Sequence, residues 1–289
     1  MGRNISDEHI QAYKEGCFKK LLEAIKEDPE LSFEVRLNNA VMVYYHKDKI
    51  LTTAFSGKGQ PKVTMLDAKY YNPGKTVKKP PIDMKDEANW KSLTKWRTYF
   101  NQAKELVYFY KKGTEFTVQQ NIALGNQSYK NRYLVVDMEW QFAQSDVKDR
   151  VPRTRFDLVI VDTVPNEQGV NDIYLAELKV GTVATEGTSG TIAHVKKTND
   201  IINKEEACQD LKEDVQNIIR VKNALAIYEG TPKDLVLADK PKMMLILAYR
   251  GKKELEALEK DRDAAQAKAK ELGMEEIKAI MHNALVELK

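Results

Sequence analysis

The chain has 289 residues, 42% of them hydrophobic and 31% charged, with a formal net charge of +3. That balance argues against both a disordered chain and a membrane-embedded one, and no apolar run approaches the roughly 20 residues that span a bilayer. The small net charge gives no general attraction to nucleic acid, so evidence for such a partner must be local.

The opening residues, MGRNISDEHIQAYKEG, lack the apolar stretch of a signal peptide. The two cysteines, Cys17 and Cys208, form no CxxC pair. A zinc cluster or a disulfide framework is therefore not expected, and a reducing cytoplasm fits best. Residues 7–27 are predicted to form one helix begun at Ser6 or Asp7. Phe33, Val35 and Leu37 alternate with Glu34 and Arg36 at the period of a half-buried strand. Asn38-Asn39 then marks a turn into AVMVYYHKDKILTTAF, which predicts a strand, a polar turn and a second strand.

Residues 56–85 change character, because Gly57, Gly59, Pro61, Pro73, Gly74, Pro80 and Pro81 interrupt regular structure. Between 56 and 80 stand six lysines, at 58, 62, 69, 75, 78 and 79, against the single acid Asp67, with Tyr70 and Tyr71 among them. Lysines such as Lys75, Lys78 and Lys79 neutralise phosphates and tyrosines stack on bases, so this segment is either a nucleic-acid contact or a solvated linker.

From 86 to about 125 the spacing of Trp90, Leu93, Trp96 and Phe100 is helical. Three strand-like segments follow, YLVVDMEWQF (133–142), RFDLVIVD (155–162) and DIYLAELKVG (172–181). A loop then leads to a long predicted helix over about 204–228, with Leu211, Val215, Ile218 and Leu225 on one face. KMMLILAY (242–249) is an apolar run of buried-strand length, and 252–288 reads as a charged amphipathic helix interrupted near Gly273. The short connections between the first three strands favour antiparallel hairpins, and the helix before the fourth supplies a crossover. The expected organisation is an N-terminal helix and small antiparallel sheet over 1–85, an α/β core over 86–250 and a C-terminal helix over 251–289.

Ionisable groups interrupt these apolar strands at informative places. Ile173, Leu175, Glu177 and Lys179 share one strand face, Asp157 stands beside Val159 and Val161, and Asp137, Glu139 and Gln141 align on the first strand. Placing Glu177 and Lys179 in a central strand is costly unless they are paired or bind an ion. With turns centred in the two loops, Asp157 would face Lys179 with Glu177 diagonal to it, and Glu139 would face Asp157. Directly opposed Cβ atoms lie about 5 Å apart. Three such carboxylates repel one another, a divalent cation would relieve that, and oxygen-only ligation suits Mg²⁺ or Mn²⁺. Glu276-Ile-Lys278 and Glu287-Leu-Lys289 repeat the ExK spacing in the charged C-terminal segment, so the triplet alone is a weak signal.

Asp157, twenty residues before Glu177-Leu-Lys179, resembles the D-(x)n-ExK signature of the PD-(D/E)XK nuclease superfamily. The helix, three-strand meander, helix and strand over 86–250 resemble that superfamily's restriction-endonuclease-like αβββαβ core. VVDMEWQF, RFDLVIVD, YLAELKVG, the downstream SGTIAHV and the N-terminal LNNAVMVYYHKDKIL are also similar to a group of uncharacterised bacterial members. The resemblance implies Asp157 and Glu177 as central metal ligands and Lys179 as the catalytic lysine. It implies a further acid, either Glu115 with Gln119 one turn later or Glu139, and a phosphate contact from His194 or Gln209. Phe156 replaces the proline of the family name. The expected function is a Mg²⁺-dependent nuclease acting on DNA, with RNA as another substrate class. The alternative is a nucleic-acid-binding or interaction module that kept the fold without the chemistry.

Overall fold

The computed structural model describes residues 2–56, 59–72, 78–110, 114–141, 155–181 and 190–283. These residues form a mixed α/β fold with seven α-helices, a four-stranded antiparallel sheet and a five-stranded mixed sheet. Among them no helix is long and apolar enough to cross a membrane. The chain divides into two compact units, Met1–Leu124 with Asn217–Tyr228, and Gly125–Gln216 with Glu229–Lys289.

The first unit begins with α1 (Asp7–Lys14) and α2 (Lys19–Glu27), where one helix was expected. Gly16 explains the break. A Cβ there would lie 2.8 Å from the Cα of Ala12, so only glycine lets the chain fold back so tightly. Strands β1 (Ser32–Arg36), β2 (Ala40–Tyr45), β3 (Asp48–Phe55) and β4 (Pro61–Thr64) pair in sequence order. Both expected turns hold: Asn38 and Asn39 have φ of 61° and 54°, and His46 and Lys47 have 48° and 66°. Two successive left-handed residues are what a tight hairpin between right-twisting strands requires. Helices α3 (Leu93–Tyr110) and α4 (Thr114–Gly125) replace the single helical stretch expected over 86–125. Trp90, Trp96, Tyr99 and Phe100 are buried in this unit with Phe18, Phe33 and Tyr13.

In the second unit β5 (Tyr133–Gln141), β6 (Arg155–Asp162) and β7 (Ile173–Val180) form the antiparallel meander read from the sequence. β8 (Lys242–Tyr249) then joins β7 in parallel, as the crossover expectation required. Every residue of β7 except Val180 is buried, which makes it the central strand.

Two expectations fail here, helix α5 and strand β9, while the break near Gly273 is the expected one. The segment after β7 holds a separate helix, α5 (Thr191–Ile202), before α6 (Glu205–Ala224). Its buried face includes Thr191 and Thr198 with Val195 and Ile201, and two polar threonines on the inner face hide the apolar period. Helix α7 (Lys252–Glu271) stops at Gly273, whose φ of 69° lets its N–H reach Lys270 and that of Met274 reach Ala269. Those two bonds satisfy the last carbonyls of the helix. Beyond it, Lys278–Asn283 is strand β9, parallel to β8, and not a continued helix. Its half-buried residues take the free edge of β8, a choice the local sequence does not make. Glu276-Ile-Lys278 therefore leads into a strand, while Glu287-Leu-Lys289 lies outside the described residues.

Met243, Leu245 and Leu247 of β8 meet Val195 of α5, Leu258, Ala265 and Ala269 of α7, and Ile277 in one buried cluster. The parallel pairing sets Glu177 beside Leu245 and Lys179 beside Leu247. Glu177 and Lys179 thus stand on the sheet face that α5 and α7 cover. On β5, Trp140 donates from Nε1 to Asp214 of α6 at 3.0 Å.

Candidate active site

The observed register is two residues from the expected one. Leu158 pairs with Ala176 and Val159 with Leu175, which carries Asp157 to the level of Glu177 and not of Lys179. A slip of two residues preserves the face, so Asp157, Glu177 and Lys179 still share it. The Asp157 carboxylate is half-buried, and its Oδ2 accepts the Leu178 backbone N–H at 2.9 Å.

Glu177 is the centre of the cluster, 5% exposed. Lys179 donates from Nζ to its Oε1 at 2.6 Å, and His194 Nδ1 lies 3.0 Å from its Oε2. His194 comes from the first turns of α5, held there by its N–H on the Gly190 carbonyl at 3.2 Å. Burial pushes the Glu177 carboxyl up, but the neighbouring His194 ring and the Lys179 ammonium outweigh it and hold the carboxyl below its ordinary value. The ionised form is the resting form. His194 was expected to contact phosphate; the structure seats it on a carboxylate.

Glu139 lies between the pairs Met138–Leu158 and Trp140–Phe156, the level of Asp157 on β5, as expected. Its backbone is left-handed, φ 57°, which breaks the regular alternation of the strand. Its carboxylate meets Arg155 at 2.6 Å. Among the described residues no group of three or more His, Cys, Asp or Glu side chains is arranged to hold a metal ion.

The remaining candidates stand on other elements. Glu115 is exposed in the first turn of α4 and Gln119 is buried one turn later, both within the first unit. Gln209 is exposed on α6 and donates to Glu213 at 2.8 Å. Lys75 lies outside the described residues, Lys79 is exposed, and Lys78 sets its Nζ 3.1 Å from the centre of the Phe109 ring. Tyr70, offered as a stacking residue, is buried and donates its hydroxyl to Asp48 at 2.6 Å, so its ring is part of the core.

The donor chemistry fits a hard divalent cation in part. Asp157 and Glu177 supply only carboxylate oxygens, from adjacent strands on one face. Each Glu177 oxygen carries two lone pairs, so the Lys179 and His194 contacts leave that carboxylate acceptor capacity. A two-carboxylate set is what these residues can offer. Comparison of the chain with protein-family models, with curated proteins and with solved structures returned no match.

Proposed function

We propose that the protein is a metal-dependent nuclease with a restriction-endonuclease-like core, hydrolysing phosphodiester bonds, with DNA as the first substrate to test. The observation that carries this reading is the shared face of Asp157 and Glu177 on neighbouring strands, with Lys179 two residues further along. The antiparallel β5-β6-β7 meander followed by helix and parallel β8 supports the same reading of the core.

Asp157 and Glu177 would hold Mg²⁺ or Mn²⁺; when bound, such an ion lowers the pKa of water and polarises phosphoryl oxygens. Lys179 keeps an ammonium at the same face, where it offsets negative charge developing on phosphate or orients the attacking water. His194 sets its Nδ1 3.0 Å from the second oxygen of Glu177.

One observation favours a second reading. Both Glu177 oxygens already have partners within the protein, which suits a non-catalytic nucleic-acid-binding or interaction module. Incubation with Mn²⁺ or Mg²⁺ and single-stranded DNA, duplex DNA and RNA separates the two. The nuclease reading expects cleavage of at least one substrate, reduced on the order of 100-fold or more by Lys179→Ala. Asp157→Asn should abolish cleavage and also the melting shift that Mg²⁺ produces, a shift that Lys179→Ala should largely keep. Absence of cleavage together with absence of any metal-induced shift would leave the module.

A further inference from the structure

We propose that the first unit carries a stacking platform for single-stranded nucleic acid, made by Tyr108 and Phe109 with Lys47 and Lys78. This goes beyond the nuclease reading and does not depend on it.

Among the described residues the other large aromatic side chains of this unit are buried or half-buried, yet consecutive residues at the end of α3, Tyr108 and Phe109, are 57% and 56% exposed. The half-buried His46 of the β2–β3 hairpin lies beside them. Tyr45 and His46 stack at 4.0 Å with 15° between their planes, and the His46 ring centre lies 6.4 Å from that of Tyr108. Burial lowers the His46 imidazole below its ordinary value, so at neutral pH it is an uncharged flat ring. The exposed ring surface is that of Tyr108 and Phe109, with the half-buried His46 beside it and Tyr45 buried beneath His46.

Lysines stand near these rings, Lys78 on Phe109 itself and Lys47 next in sequence to His46. Lys78 Nζ stands 3.1 Å from the Phe109 centroid, and Lys47 Nζ stands 5.2 Å from that of Phe116. Lys79 follows, exposed. The acids beside Tyr45, Asp28 and Glu30, are taken up by Lys104 at 2.7 and 2.8 Å. Glu105 and Glu115 are the exposed acids that remain on α3 and on the first turn of α4.

Exposed rings together with ammonium groups select the occupant. A single strand presents one flat apolar base and one negative phosphate per nucleotide, and exposed aromatic rings with ammonium groups nearby match both. An acidic peptide matches the ammonium groups but leaves the exposed rings unused. A duplex hides its base planes inside its own stack and offers mainly phosphates.

The test is fluorescence anisotropy in EDTA, so that no turnover intervenes. Its probes are labelled oligo-dT, an abasic oligomer of the same length and a duplex. Tyr108→Ala with Phe109→Ala should weaken oligo-dT binding about tenfold or more and leave the abasic oligomer unchanged. The ring-keeping pair Tyr108→Phe with Phe109→Tyr should restore binding, which rules out a folding defect. Lys47→Ala with Lys78→Ala should flatten the salt dependence for both single-stranded probes, by about 0.7 per lysine in the log–log slope.

Equal losses on the abasic oligomer, duplex binding as tight as oligo-dT, or ring-keeping variants as weak as the alanine pair would each overturn the platform. So would a wild-type dimer that the alanine pair dissociates, since a second copy would then be the occupant. Binding that depends on the rings without cleavage under any metal condition keeps the platform and removes the nuclease; cleavage with ring-independent binding does the reverse.

Discussion

Each unit buries a strand carboxylate against a lysine, and the two solve the electrostatic problem differently. In the first, Glu34 of β1 and Lys222 pair at 3.1 Å with 1% and 0% side-chain exposure, and Ser32 donates to the other Glu34 oxygen. Tyr228 closes the Lys222 side with its ring, 5.6 Å away. In the second, Glu177 is buried but its companions are not sealed: the Lys179 and His194 side chains keep 11% and 14% exposure, and Asp157 is only half-buried. A closed pair can do nothing but hold the fold. An ion cluster with one side open to solvent can exchange a partner for a ligand. Burial and pairing alone therefore do not mark a site; access does.

The sharpest way to break this comparison is to remove one partner from each cluster. Lys222→Ala leaves an uncompensated, fully buried carboxylate and should destabilise the protein by about 3–5 kcal/mol, read as a fall in Tm independent of Mg²⁺. A loss below about 1 kcal/mol would mean that water reaches Glu34 and that the pair is not closed.

A second test uses the closed character of the first unit. His9 is 0% exposed, with Nδ1 3.3 Å from Asn39 and Nε2 3.2 Å from Thr53. Burial pushes its imidazole down to about 4 from the ordinary 6.5. As pH falls below 6.5 the unfolded chain takes up a proton that the folded chain refuses until about 4. Stability present above that window is therefore lost across it, by on the order of 3 kcal/mol. Melting curves of wild type and His9→Gln between pH 7 and 4.5 should converge as the pH falls, since only the wild type carries this linkage. A constant gap would show that His9 titrates normally and that the network around it is open.

The smallest expected stability effect is at the open cluster. Asp157→Asn keeps an oxygen for the Leu178 N–H and removes one of two neighbouring carboxylate charges. Without metal its Tm should lie within about 1 kcal/mol of wild type, or slightly above through relieved repulsion. The wild type alone should then gain stability on adding Mg²⁺, by mass action. Destabilisation of Asp157→Asn as large as that of Lys222→Ala would make the second cluster scaffold like the first.

How much of this was legible follows from the range over which each signal acts. Strand alternation, the Asn38-Asn39 turn and the apolar run of β8 are local, so the meander, its hairpins and the parallel fourth strand could be read directly. The anomaly of Glu177 and Lys179 in an apolar central strand was likewise a local contradiction, visible without any partner. The exact partners were not. The two-residue register shift between β6 and β7 depends on how the 163–172 turn packs, and it changed the residue opposite Asp157 without changing its face. The left-handed Glu139 backbone, which delivers that acid to Arg155, has no sequence signature.

Helix α5 and strand β9 mark the same boundary from the other side. Thr191 and Thr198 are polar by type but buried, and Thr191 meets Asp261 of α7 there, so the inner face of α5 exists only once α7 is in place. Lys278–Asn283 has helical composition locally and becomes a strand because β8 has an edge to offer. The sequence by itself determined which residues must be inside and which of them carry charge, because burial of apolar area is a property of each segment. The tertiary structure alone decided which charges meet, because pairing depends on register, edge and packing between segments distant in the chain.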